Sequence, residues 1–284
     1  MTAEYRFCRA LLLGFSQIML HSNALTGLLF LAAIALNSLW MCLAAVGASL
    51  VANAAALLLG ACREHIEQGL YGYNGALVGL ACAVYWPPDI DLVVIVALAA
   101  LLSTLLVRLL IEPLGAQVFT TPFILSIWLI TAFVGVEPVA VEPVSRTGLD
   151  NLLLGFGQVL FLHNPLSCLL VLLGVAVASR RAFCWAAVAV VISSGFAFLL
   201  GEAEKVVFSG FYAYNAVLVA MALSNRRESD ALTLIAAVLL SVVLTGWLER
   251  TGVPVLTAPF VMVCWLAFSL SGRLGRWGQE RAQG

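Results

Sequence analysis

The sequence predicts an all-α polytopic membrane protein made of two homologous halves that cross the bilayer in opposite senses. Three observations lead there. Hydrophobic residues are 63% of the 284-residue chain and charged residues 10%, with a mean hydropathy of +1.05. A soluble domain carries about 25% charged residues, so this charge cannot cover a water-exposed surface of such size. Three sequence phrases recur in the same order in the two halves. Arginines gather at the two ends of the chain and in two pairs within its second half, and are scarce in the segment that joins the halves.

From the N-terminus, MTAEYRFCRALLLGFSQIML loosely resembles a signal peptide. Glu4 stands in its leading region, however, and no small-residue cleavage site precedes His21-Ser22-Asn23. It is read as part of the mature protein. Apolar stretches at about 25–40, 41–60, 91–111, 165–179, 182–200 and 230–248 are long enough, or nearly so, to span. Stretches at 9–20, 123–136, 152–163 and 260–271 are shorter. A helix rising 1.5 Å per residue needs about 20 residues to cross the ~30 Å hydrocarbon core, so these suit half-spanning or re-entrant segments.

The repeat explains why one phrase is written twice. GLYGYNGALVGLACA (69–83) and GFYAYNAVLVAMALS (210–224) share seven of fifteen positions, including the Y-x-Y-N core. LLLGFSQIMLHSNAL (11–25) and LLLGFGQVLFLHNPL (152–166) share eight of fifteen, also 141 residues apart. EPLGAQVFTTPFILSIWLI (112–130) and ERTGVPVLTAPFVMVCWLA (249–267) share eight of nineteen, 137 apart. Apolar text matches by accident, but three ordered blocks that share Gln, Asn, Glu and Thr do not. The halves are 1–140 and 148–284, with a joining loop at 141–147.

The joining text VEPVAVEPVSRTGLDN has three acids and only Arg146 as a cation, whereas Arg6, Arg9, Arg180, Arg181, Arg226, Arg227, Arg273, Arg276 and Arg281 lie elsewhere. The positive-inside rule then puts both termini in the cytoplasm and the joining loop outside. Each half crosses an odd number of times, which makes an inverted repeat with a substrate site expected near the midplane.

Three repeat-related constellations could carry function. Gln17 and Gln158 each stand six residues before an asparagine. Buried amides in lipid need partners, so they either line a pathway or bridge helices. Thr120 and Thr257 stand in T-x-P-F. Proline two residues after Thr fits a helix start. On a half-length helix that start is deep and its hydroxyl could meet a polar solute; on a full one it is an ordinary surface cap. Tyr73 and Tyr214 are followed by Asn, and by Leu77 and Leu218 four residues on, which shares one helix face. Two such faces would form a flat slot at each end of a pore, or else belong to an interfacial aromatic belt. Glu112 and Glu249 end spanning runs and read as solvated helix-end acids.

Other chemistries find little here. A net charge of −1 gives no basic field for nucleic acid. The seven cysteines are scattered with no C-x-x-C, and His21, His65 and His163 have no ligand spacing. No nucleophile–base pair or phosphate loop appears, so neither an enzyme nor a cofactor is expected.

Taken together, G-x-x-Q before N-A-L or N-P-L, Y-G-Y-N-G-A-L, and doubled T-x-P-F resemble the urea transporter family over essentially the whole chain. The length is similar to the bacterial members. The resemblance implies two inverted halves, each with five spanning helices and a re-entrant pore helix, in a homotrimer with one pore per protomer in a bacterial inner membrane. It implies passive conduction of urea. It carries Thr120 and Thr257 to a central constriction, Gln17 and Gln158 to slots at the pore ends, and Tyr73, Leu77, Tyr214 and Leu218 to slot walls. The chain departs from the family in having Tyr73 and Tyr214 where Phe is common. Leu20 and Phe161, three residues after the glutamines, make the slots unequal, and Asn23-Ala24 stands opposite Asn164-Pro165.

The chemistry agrees. Urea is planar, neutral and rich in N–H groups, which hydroxyl and carbonyl oxygens accept. Two other readings compete. An ammonium or small-gas channel would be expected to use pore histidines, but His21 and His163 are offset by 142 where the flanking text keeps 141. A proton-coupled transporter would need an intramembrane carboxylate, and only Glu112 or Glu249 could serve.

Overall fold

A computed structural model describes residues 3–135, 148–224 and 230–282. The joining loop 141–147 and the Arg226-Arg227 pair lie outside the described residues. Every regular element among the described residues is helical. The first run is α1 (Ala3–Gln17), α2 (Ala24–Asn37), α3 (Leu39–Leu58), α4 (Arg63–Glu67), α5 (Leu70–Tyr85), α6 (Ile90–Leu114) and α7 (Thr121–Val134). The second is α8 (Gly148–Gly157), α9 (Pro165–Ala178), α10 (Arg180–Leu199), α11 (Glu204–Phe208), α12 (Tyr214–Ser224), α13 (Ala231–Arg250) and α14 (Ala258–Ala282).

The two runs share their punctuation as well as their order. Asn23 and Asn164 cap α2 and α9, and Ser38 and Ser179 cap α3 and α10 through side-chain oxygens. Among the described residues, four non-glycine residues have positive φ, and they fall into two equivalent pairs: Leu20 with Phe161, and Phe119 with Leu256.

Among the described residues, four helices are long and apolar enough to cross a membrane: α3, α6, α10 and α13. A fifth crossing arises if Leu152–Leu160 and Pro165–Ala178, bent by 85°, count as one. The apolar run at 25–40 yields the shorter α2, which ends at Asn37, whereas α9 covers nearly the whole run at 165–179. Ser38 and Ser179 take extended backbone and accept the N–H groups of Met41 and Ala182, which ends one helix and starts the next. Conversely, α14 runs on past its apolar part, Ala258–Leu270.

Within the first half α3 packs on α5. Gly75 and Gly79 make this approach possible, since a Cβ on Gly79 would lie 2.3 Å from the Ala44 carbonyl oxygen and one on Gly75 2.7 Å from the Ala52 Cβ. Small residues let apolar helices approach closely where lipid removes the hydrophobic drive. The equivalent α10 packs on α12. Between the halves α2 packs on its own equivalent α9, and the Thr26 hydroxyl donates to the Gly174 carbonyl at 2.9 Å. Buried residues from both halves form one continuous core.

Candidate functional site

A buried polar contact joins the two halves. Thr120 and Thr257, 2% and 3% exposed, hydrogen-bond through their hydroxyl oxygens at 2.7 Å. Each occupies the position just before a helix, and its carbonyl accepts an early helical N–H: Ile124 at 3.0 Å and Val261 at 3.2 Å. Yet Thr120 makes no side-chain cap bond. An N-cap oxygen ordinarily accepts from the second or third helical N–H. Here that donor is already taken: the Asn74 side-chain oxygen accepts from Phe123 N–H at 3.1 Å, and Asn215 accepts from Phe260 N–H at 3.2 Å. The asparagines of the Y-N phrases therefore cap α7 and α14 from neighbouring helices. That leaves the threonine hydroxyls free to face each other.

The other end of each Y-N pair grips the residue before the threonine. Tyr73 donates its hydroxyl to the Phe119 carbonyl, and the Asn74 amide donates to the same oxygen at 3.4 Å. Tyr214 donates to the Leu256 carbonyl at 2.6 Å and Asn215 to it at 3.1 Å. Phe119 and Leu256 are at φ 44° and 46°, which L side chains rarely adopt and which persist only where the surroundings over-determine them. Four donors on two carbonyls supply that constraint.

Two further bonds cross between the halves beside this centre. Trp128 Nε1 donates to the Pro254 carbonyl and Trp265 Nε1 to the Gln117 carbonyl, each at 2.8 Å. Trp128 is equivalent to Trp265 and Gln117 to Pro254 at the offset of 137. Residue i meets j while j's equivalent meets i's, and Thr120 meets its own equivalent. Reciprocal and self-paired contacts are what a two-fold relation produces.

The remaining expected residues sit apart from this pair. Gln17 is half-buried and its amide nitrogen donates to the Ser22 hydroxyl at 2.9 Å and the Gln68 carbonyl at 3.4 Å. Gln158, also half-buried, pairs its amide nitrogen with His163 Nδ1 at 3.1 Å. In both, the nitrogen end is tied, which leaves the carbonyl to point away from those partners. Leu20 and Phe161 are half-buried at φ 61° and 58°, forming the turns after the glutamines. Leu77 and Leu218 are almost wholly buried, one helical turn beyond Tyr73 and Tyr214. The tyrosine hydroxyls belong to the threonine turns, so the phenols reach the centre rather than standing clear of it at separate ends.

Phe119, Leu256 and the two helix-capping asparagines were not among the expected site residues. Their signal was the asparagine repeated beside each tyrosine, since a buried amide must be bonded. The Phe119 ring also lies 5.1 Å from that of Phe260, centroid to centroid, closing the first-half turn onto the second-half helix. Glu112 is exposed at the end of α6, and Glu249, exposed at the end of α13, accepts from Tyr212 at 2.9 Å.

Helices that suit lipid, arranged around a buried hydroxyl pair and two remotely capped helix starts, define a polytopic membrane protein with a small uncharged polar centre. The family model described as urea transporter matches residues 8–272. The chain belongs to the urea transporter family. It is similar to urea transporter 1 of Rattus norvegicus, with 25% identity over 248 residues that cover 78% of this chain and 63% of that protein. Urea transporter 1 of Ovis aries and of Capra hircus are each 36% identical over 80 residues, 28% of this chain and 21% of theirs. The chain thus spans less than two thirds of the length of these relatives.

Proposed function

We propose that this chain conducts urea passively through a narrow pore whose centre is the Thr120–Thr257 pair. The observation that carries the reading is that pair: two buried, repeat-equivalent hydroxyls meet at the starts of α7 and α14 in a member of the urea transporter family. Urea carries four N–H donors and one carbonyl. Threonine oxygens accept from the former, and a threonine proton serves the latter. The half-buried carbonyls of Gln17 and Gln158 are the acceptors on approach and exit, beside Leu20 and Phe161. Tyr73, Leu77, Tyr214 and Leu218 build the wall around the centre.

An ion passing the same place would shed its water against neutral hydroxyls and hydrocarbon, with no charge to compensate. The cross-half bonds of Trp128 and Trp265 favour a channel over a rocking carrier, because alternating access would have to break them in every cycle.

The reading includes two homologous halves, 1–140 and 148–284, joined by 141–147 and related by a two-fold axis in the membrane plane. The reciprocal tryptophan bonds and the self-paired threonines support it. It also includes a homotrimer in a bacterial inner membrane with both termini cytoplasmic.

The test is solute efflux from proteoliposomes, with urea, ammonium and glycerol compared and then repeated under an imposed membrane potential or pH gradient. Urea equilibrating without accumulation is the expected result. Accumulation against a gradient would mean coupled transport, and a preference for ammonium would mean a gas or ammonium channel.

A further inference from the structure

The doubled tyrosine hydroxyls do more than the shape of an aromatic ring requires. A carbonyl oxygen has two acceptor positions. At Phe119 and again at Leu256 both are filled, one by the phenol proton of Tyr73 or Tyr214 and one by the amide of Asn74 or Asn215. These carbonyls stand one residue from the threonines that meet across the centre. Left free, they would be acceptors for any N–H group at the constriction. Each phenol has one proton, already given to a carbonyl, so its oxygen can only accept.

We propose that Tyr73 and Tyr214 set the size limit of the pore: their hydroxyls hold the strained Phe119 and Leu256 turns closed and keep those carbonyls out of reach of the solute. The inference rests on the urea-conducting reading and adds to it a pair of specificity-determining hydroxyls. It follows from three consequences of removing such a group. A hydroxyl-sized space opens beside the threonine pair. One acceptor on the preceding carbonyl becomes available. The positive-φ turn loses one of its two restraints and can relax. The opened space and the relaxed turn favour a solute bulkier than urea, such as N-methylurea, more than they favour urea itself, while the freed acceptor serves the N–H groups of either solute. Because the hydroxyl occurs in both halves, each substitution should contribute, and the double variant should show more than either single one.

The experiment compares wild type with Tyr73→Phe, Tyr214→Phe and the double variant in proteoliposomes, each measured with urea and with N-methylurea. The readout is the ratio of the two permeabilities, which does not depend on how much protein inserts. In the double variant that ratio should rise by roughly 2- to 12-fold, the factor one net hydrogen bond represents. An unchanged ratio in variants that still pass urea overturns the proposal, as does an equal loss for both solutes. The single variants carry the same test should the double one fail to fold. If wild type itself passes no urea, it is the underlying reading that falls, not the assignment of the hydroxyls.

Discussion

The centre of this protein is nearly identical in its two halves, and the corners flanking it are not. At the centre, threonine meets threonine and tryptophan bonds cross reciprocally at equal distances. Each Y-N pair makes the same three bonds. At the corners, Gln17 is held by a serine hydroxyl and a backbone carbonyl, whereas Gln158 is held by a histidine. The residue three positions on is Leu20 in one and Phe161 in the other, although both keep the same positive φ. The difference follows from position. In the two-fold arrangement proposed above, a residue on the axis is its own partner, so a change on one side must suit the other. A corner touches only its own half and can drift so long as the backbone turn survives.

The sharpest way to break that contrast is at the axis. Thr120→Val or Thr257→Val preserves shape and removes one hydroxyl from a pair that is almost fully buried. A buried group left without its partner costs about 1–3 kcal/mol, which is roughly a 5- to 150-fold fall in urea flux on the scale of a factor of ten per 1.36 kcal/mol. The two single variants should fall by similar amounts, because either one breaks the same bond. Thr→Ser should retain most of the flux. Permeability at matched amounts of folded protein decides it. Wild-type flux in both valine variants would make the threonines structural and move the constriction elsewhere. Serine failing as badly as valine would mean that the methyl group, not the oxygen, is what matters.

Much of this centre could be read in the amino-acid text, and the part that could not has a physical cause. Repeated Thr, Gln and Y-N phrases are visible because polar residues in apolar sequence are costly and so carry meaning. T-x-P-F marks a helix start by local rules alone, and the helix begins at the next residue. What local rules could not supply is the cap. They assign it to Thr120, but Asn74, 49 residues from Phe123, takes the N–H first. The tyrosines were legible as an aromatic face and not as hydrogen-bond donors, because their acceptors are 46 and 42 residues away in sequence. Helix length departs from the apolar text in the run at 25–40 for the opposite reason. A serine lowers mean hydropathy little, yet the Ser38 oxygen bonding a backbone N–H starts a new helix there.

The next test sharpens the equality of the halves at the level of stability. Asn74→Ala and Asn215→Ala each leave a helix-start N–H without its side-chain partner and a strained carbonyl with one side-chain donor in place of two. At about 1–3 kcal/mol for a buried unsatisfied group, either should lower the thermal midpoint of the detergent-solubilised protein clearly, and by similar amounts. Aspartate should not rescue, since its carboxylate can cap the N–H but would face the carbonyl with an acceptor. A normal midpoint in either alanine variant would mean that the Y-N pair does not hold the threonine turn. A large loss in one half alone would break the symmetry argument.

The smallest effects belong at the corners, where they should also be unequal. Gln17→Leu and Gln158→Leu each remove one carbonyl from a half-buried place that water can reach. Water replaces a lost acceptor there, so only the net worth of a neutral hydrogen bond is at stake, about 0.5–1.5 kcal/mol, or roughly 2- to 12-fold in flux. The two should differ because their supports differ. Gln17 has two partners for its amide nitrogen, so Ser22→Ala leaves the Gln68 carbonyl to hold it. Gln158 shows only the His163 ring as its side-chain partner among the described bonds, so His163→Ala should come closer to the Gln158→Leu result. Urea permeability of the four variants, measured side by side, gives the ordering. Equal losses in Ser22→Ala and His163→Ala would mean that the corners are as constrained as the axis. A corner loss exceeding that of Thr120→Val would move the rate-limiting barrier out of the centre and into the mouth of the pore.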